Sequence, residues 1–220
     1  MFLGHFGVGL AAKRVAPQVS LGTFFLCSQF LDLLWPTLLL LGVEQVEIAP
    51  AHTAVTPLEF THYPISHSLF MVVVWGVIAG SLYLWLRGSR VAALICASLV
   101  VSHWILDLIT HVPDLPLSPW STTRVGLSLW NSLTGTLAIE FALFALGLWL
   151  YWRTTAPRSH KGIWGLWGLV GFLVLVYWSN LTAPPPPDQR AIAWVGQAQW
   201  LLVLWAYWVD RHRSMKLRSD

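Results

Sequence analysis

Six long apolar stretches constrain this chain more than any other feature. They run over residues 19–42, 64–86, 91–112, 127–152, 162–181 and 191–209. About 20 consecutive apolar residues cross the hydrocarbon layer of a bilayer as one helix, so each stretch is long enough to be a span. A further apolar piece, residues 2–12, is too short to cross. It is expected to lie at the interface or to re-enter the bundle. The connections break helices: Pro50 and Pro57 follow the first stretch, and Pro113, Pro116 and Pro119 follow the third. Prolines 184–187 force an extended linker between the fifth and sixth. The expected fold is all-α. It is a polytopic membrane bundle of six helices plus a short N-terminal helix, one domain over residues 1–220. No internal repeat is visible, so a duplicated transporter architecture has no support.

Composition excludes the soluble alternative. Charged residues make up 10% of the chain and hydrophobic ones 56%, against about 25% charged in soluble proteins. Such a chain cannot cover a globule with polar surface. A net charge of +3 might suggest a nucleic-acid partner, but the basic residues are placed by topology. With a cytoplasmic N-terminus, Lys13, Arg14, Arg87, Arg90, Arg153, Arg158, Lys161, Arg211, Arg213, Lys216 and Arg218 share the cytoplasmic side. Only Arg124 and Arg190 fall opposite. That is the positive-inside pattern, with both termini in the cytoplasm, and no nucleic acid is needed to explain it. Cys27 and Cys96 lie in apolar runs and form no metal or redox motif. The opening residues lack a charged segment ahead of their apolar part and read as retained rather than as a cleaved signal.

Ionisable side chains inside spans are costly and need a partner or a function. The third stretch carries His103, Asp107 and His111 at i, i+4 and i+8, on one helical face. Asp32 lies in the first stretch, His67 just inside the second, and Glu140 in the middle of the fourth. Their distances from the predicted outer ends overlap within a turn or two, so one polar cavity can hold them. If the N-terminal piece dips in, His5 joins Asp32. Imidazoles and carboxylates at one depth are a donor set for Zn²⁺, with Mn²⁺ the alternative. The expected metal ligands are His5, Asp32, His67, His103 and Asp107. Asp32 or Glu140 is the expected base for a water acidified by the ion. His62 and His111 are possible additional site residues. Hydrogen bonding between helices is the bland explanation for any one of these groups.

The same residues resemble the YdjM-type family of bacterial inner-membrane proteins, described as membrane-bound metal-dependent hydrolases. The resemblance covers roughly residues 1–112. It rests on Gly4-His5 near the start, the acidic Asp32, the run from His62 through His67-Ser68-Leu69, and His103 followed four residues on by Asp107. The chain departs from the family where Gln29-Phe30-Leu31-Asp32 replaces Pro-Asp-x-Asp, and where Tyr63 replaces an arginine. The resemblance implies residues 1–112 as the site-bearing half, with residues 113–220 a scaffold.

The expected function is hydrolysis of an ester or phosphoester, with a lipid or lipid-linked substrate at the outer headgroup layer. Transport of a metal ion or proton-coupled export is the main alternative, and a structural or assembly subunit the second. Transport requires polar residues reaching the cytoplasmic side, and residues 91–101 have almost none. The small-residue spacing of Gly162, Gly165, Gly168 and Gly171 suits helix packing within one chain or between chains, so the oligomeric state stays open.

Overall fold

A computed structural model describes residues 1–216, so Arg218 lies outside the described residues. Helix α1 (Leu3–Ala12) is the short N-terminal piece. The first apolar stretch forms two helices, α2 (Leu21–Ser28) and α3 (Phe30–Leu40), bent by 56°. Helices α4 (Leu69–Arg87), α5 (Arg90–Thr110), α6 (Leu133–Thr154) and α7 (His160–Thr182) follow. Helices α8 (Gln189–Gln197) and α9 (Gln199–Arg211) close the bundle. Among the described residues, five segments are long and apolar enough to cross a membrane: α4, α5, α6, α7 and the α8–α9 run. The bent α2–α3 pair makes six if it counts as one.

The exterior is apolar, as a lipid solvent requires. On α4, Phe70, Val73, Val77, Leu82 and Trp85 all face outward, and only Val72, Gly76 and Gly80 are buried. A contiguous apolar face of this kind marks an interaction with membrane or protein. Gly88 ends α4 in the left-handed region, at φ +69°, and turns the chain directly into α5.

Three features depart from an all-helical expectation or from a continuous first span. The loops fold into two-stranded antiparallel sheets: β1 (Gln45–Ile48) with β2 (Leu58–His62), β3 (Leu115–Pro116) with β4 (Arg124–Val125), and β5 (Thr155–Pro157) with β6 (Arg213–Met215). These ladders pair the backbone groups of segments too short to form a helix of their own. The fourth stretch becomes helical only at Leu133, because Ser132 caps it there and Leu129–Asn131 form a single 3₁₀ turn. The first stretch breaks at Gln29, next to Ser28, whose carbonyl accepts a hydrogen bond from His103. Pro36 within α3 removes the amide that would bond the Asp32 carbonyl, which loosens the same segment.

Helix α1 enters the bundle. Leu3, Phe6 and Leu10 are fully buried and pack in one core with Phe25, Phe144 and Val203. Its approach to α6 is a backbone contact. A Cβ at Gly7 would lie 2.6 Å from the Leu143 carbonyl oxygen, and one at Gly147 would collide with the Gly7 carbonyl. The glycine stripe on α7 is used within the chain: Gly162 faces the His212 carbonyl, Gly165 faces Trp208 and Gly168 faces Trp205, while Gly171 has nothing against it.

Basic residues gather at the end where α1 finishes. Lys13 Nζ donates to Asp210 Oδ2 at 2.8 Å, and Tyr151 donates to Asp210 Oδ1 at 3.1 Å. Arg213 donates to Thr155 and to the Gly162 carbonyl. Burial pulls the Arg213 guanidinium below its ordinary value, with Tyr151 and Asp210 opposing that shift.

Candidate metal centre

Four elements converge at the N-terminal end of α1. Helix α5 presents His103 and Asp107 one turn apart, α3 presents Asp32, the segment leading into α4 presents His67, and α1 presents His5. His103 Nε2 lies 3.2 Å from Asp107 Oδ2 and 3.7 Å from Asp32 Oδ1. His67 Nε2 lies 3.6 Å from Asp32 Oδ1 and 3.8 Å from Asp107 Oδ2. Four donors about 2.0–2.1 Å from a tetrahedral ion stand about 3.3 Å from one another. The observed separations bracket that edge.

The hydrogen bonds behind the imidazoles fix what these nitrogens present. His103 Nδ1 lies 2.8 Å from the Ser28 carbonyl, which can only accept, so Nδ1 carries the proton. Ser66 donates its one hydroxyl proton to Glu44 Oε2 at 2.6 Å. Its oxygen then accepts from His67 Nδ1 at 2.7 Å. In the neutral ring both Nε2 atoms are left as bare lone pairs facing carboxylate oxygens. His103 Nε2 is buried without any hydrogen-bond partner, and the His67 separations are too long for hydrogen bonds. In that neutral form, nitrogen and carboxylate donors held this close fit a cation.

Two overlapping donor sets arise: Asp32, His67 and His103, and His5, His103 and Asp107. His5 Nε2 lies 3.0 Å from Asp107 Oδ1, the oxygen turned away from the first set, and the Met1 amine lies 2.6 Å from the same atom. The His5 ring stacks on His103. Asp107 thus offers one oxygen to each side. Asp32 is 24% exposed while the other donors are at most 4% exposed, so the centre opens at Asp32.

That opening leads into a cavity of about 560 Å³. Trp35, Phe60 and Trp130 form one wall, Ile192 and Val195 of α8 another, and prolines 184–187 the rim. Tyr177 is buried and lines this cavity.

The remaining sequence candidates divide. Glu140 lines the cavity, but its oxygens accept the Phe2 and Gly4 amides at 2.8–3.2 Å, which caps α1. His111 is buried beside the cavity, with Nδ1 2.9 Å from Asp114 Oδ1 and its ring against Trp130. Tyr63 donates to the same Asp114 oxygen at 2.7 Å. Burial and that carboxylate push the Tyr63 hydroxyl well above its ordinary range. His62 is exposed at the end of β2, paired with Gln45, and stands outside both donor sets.

Sequence reasoning passed over Glu44, a fully buried carboxylate that binds the Ile65 amide, the Ser66 amide and the Ser66 hydroxyl. Only the Ser66-His67 dipeptide hinted that a hydroxyl backs the imidazole. The chain matches no known family profile, no curated protein and no solved structure.

Proposed function

We propose that this chain is a membrane-embedded hydrolase that holds one divalent ion between Asp32, His67, His103 and Asp107. The observation that carries the reading is the pair of Nε2 atoms, each backed by an Nδ1 engaged with an oxygen acceptor, turned toward two carboxylates at ion-ligand spacing. Zinc suits two imidazoles and two carboxylates, with manganese second. A divalent ion there supplies Lewis acidity to a carbonyl or phosphoryl oxygen and to water. The chain's own residues do the rest. Ser28 and the Glu44–Ser66 pair orient the imidazoles, His5 orients Asp107, and the aromatic wall excludes bulk water. The reading extends to an ester or phosphoester substrate, a lipid among the possibilities. The buried residues in the first half of α5, including Ala92, Ala93, Cys96, Leu99 and Val100, offer a transported ion no polar path. We place the protein in a bacterial inner membrane with both termini cytoplasmic. That placement rests on the basic-residue distribution and the resemblance to the YdjM-type family.

Metal content of the detergent-purified protein tests the centre. Wild type should carry about one equivalent of zinc or manganese, as one ion in a four-donor site requires. His103→Ala and Asp107→Ala should carry none. A folded wild-type protein that stays metal-free after incubation with either ion would overturn the reading.

A further inference from the structure

The proposed centre leaves open whether the substrate is a carboxylic ester or a phosphoester. We infer that the cavity selects an uncharged acyl ester, its carbonyl at the Asp32 side of the centre and its chain along the aromatic wall. The inference rests on the metal-centre reading and goes beyond it by fixing the charge and class of the substrate.

The charges lining the cavity carry the argument. Three carboxylates line it, Asp32, Asp107 and Glu140, and among the described residues no lysine or arginine does. Adding one divalent ion and the Met1 amine, which pairs with Asp107, brings the lining only to neutrality. A phosphate would then be an uncompensated anion between Trp35, Phe60 and Trp130. Unpaired charge in such surroundings is costly. Phosphate sites normally answer with arginine, lysine or free amides at a helix N-terminus. Of the helix N-termini beside the centre, that of α1 has already given its Phe2 and Gly4 amides to Glu140, and that of α4 is capped by Ser68. His111 does not fill the gap, because its Nδ1 is engaged by Asp114.

The uncharged alternative has what it needs. The remaining polar groups of the lining include Thr56, Ser179, Asn180 and Gln199, all neutral. A volume of about 560 Å³ falls within the ordinary range of small-molecule sites.

The reaction on such a substrate is plain hydrolysis. A bond forms between the water oxygen and the carbonyl carbon, and the acyl carbon–oxygen bond breaks. One water proton ends on the departing alcohol and the other on the carboxylic acid, which releases it to solvent. No oxidant or reductant takes part.

The test is binding, so that it does not depend on turnover. The full chain in detergent, with its zinc content measured in the same sample, is titrated calorimetrically with octanohydroxamic acid and with octylphosphonate. The hydroxamic acid, uncharged in solution, should bind at least about ten-fold tighter, because the phosphonate must bury a charge that a neutral lining does not compensate. Gln199→Lys should narrow that gap by strengthening phosphonate binding. Equal or tighter binding of the phosphonate to zinc-loaded wild type would overturn the inference, as would failure of both probes to bind. Absence of zinc from the folded protein would overturn the metal-centre reading and this one with it. Tight hydroxamate binding with no cleavage of p-nitrophenyl octanoate would remove the hydrolase reading alone and leave the charge selection standing.

Discussion

The imidazoles of His5 and His103 lie face to face, 3.6 Å between ring centroids and 7° from parallel. Two rings so placed cannot both be cations without strong repulsion. At least one ring of the stack is therefore neutral. The stack also ties the short helix α1 to α5, so the entry of α1 into the bundle and the geometry of the centre are one event.

His5→Ala removes that stack and the hydrogen bond to Asp107 Oδ1. The four-donor set stays, so metal stoichiometry should persist while affinity falls about 10- to 100-fold, the usual cost of losing an orienting partner. Competition against a chelator of known affinity measures it. Unchanged affinity would show that Asp107 needs no such support.

Glu44→Ala should cost more stability than a loop substitution normally does. It leaves the Ile65 amide, the Ser66 amide and the Ser66 hydroxyl without their acceptor. Unsatisfied buried donors cost about 1–3 kcal/mol each. Thermal unfolding in detergent reads the loss, and metal affinity should fall with it. Ser66→Ala, which removes only the link to His67, should lower metal affinity with a smaller effect on unfolding.

Gly147→Ala should push α1 away from α6, because the new Cβ meets the Gly7 carbonyl. Overpacking of this kind costs about 1–3 kcal/mol. The sharper readout is the centre itself, since His5 travels with α1. Metal affinity should drop although Gly147 belongs to neither donor set. Retained affinity would mean that α1 can shift without moving His5.

Chelation should destabilise the protein, because Asp32 and Asp107 then share a pocket with no cation between them. A ligand at 100 times its dissociation constant stabilises by about 2.7 kcal/mol. The melting temperature should fall with EDTA and recover with added zinc.

Lys13→Met serves as the contrasting case at the other end of the bundle. It breaks the pair with Asp210, whose side chain is 14% exposed. Removing one partner of a buried pair costs about 3–5 kcal/mol, and the partial exposure of Asp210 should bring this loss below that range. Metal content of the folded fraction should not change.

The sequence made some of this legible and hid the rest for physical reasons. His103 and Asp107 are one helical turn apart, so their shared face follows from periodicity alone. His67 and Asp32 were placed by depth within apolar runs, and the structure brings both within 4 Å of the α5 pair. His5 was expected to arrive only if its short helix dipped inward, and Gly7 and Gly147 are what permit that approach. Glu44 was out of reach, because its partner Ser66 lies 22 residues away and the β1–β2 hairpin alone brings them together. The break at Gln29 has no glycine or proline at that position to announce it. It accompanies a bond from Ser28 to His103, 75 residues on. Glu140 looked like a base and turned out to be engaged by two amides of α1, a role that no spacing in α6 records.

Prolines 184–187 line the cavity, and because Pro184, Pro185 and Pro187 are exposed they stand at its outer edge. Proline has no amide hydrogen and a nearly fixed φ. Four in succession give the entrance a border that donates no hydrogen bond and resists changes in length, at about 3.1 Å per residue when extended. That stretch of the border is therefore held by covalent geometry more than by side-chain motion. A polar group passing that border meets carbonyl acceptors and no backbone donors, which makes the threshold itself unwelcoming to anions.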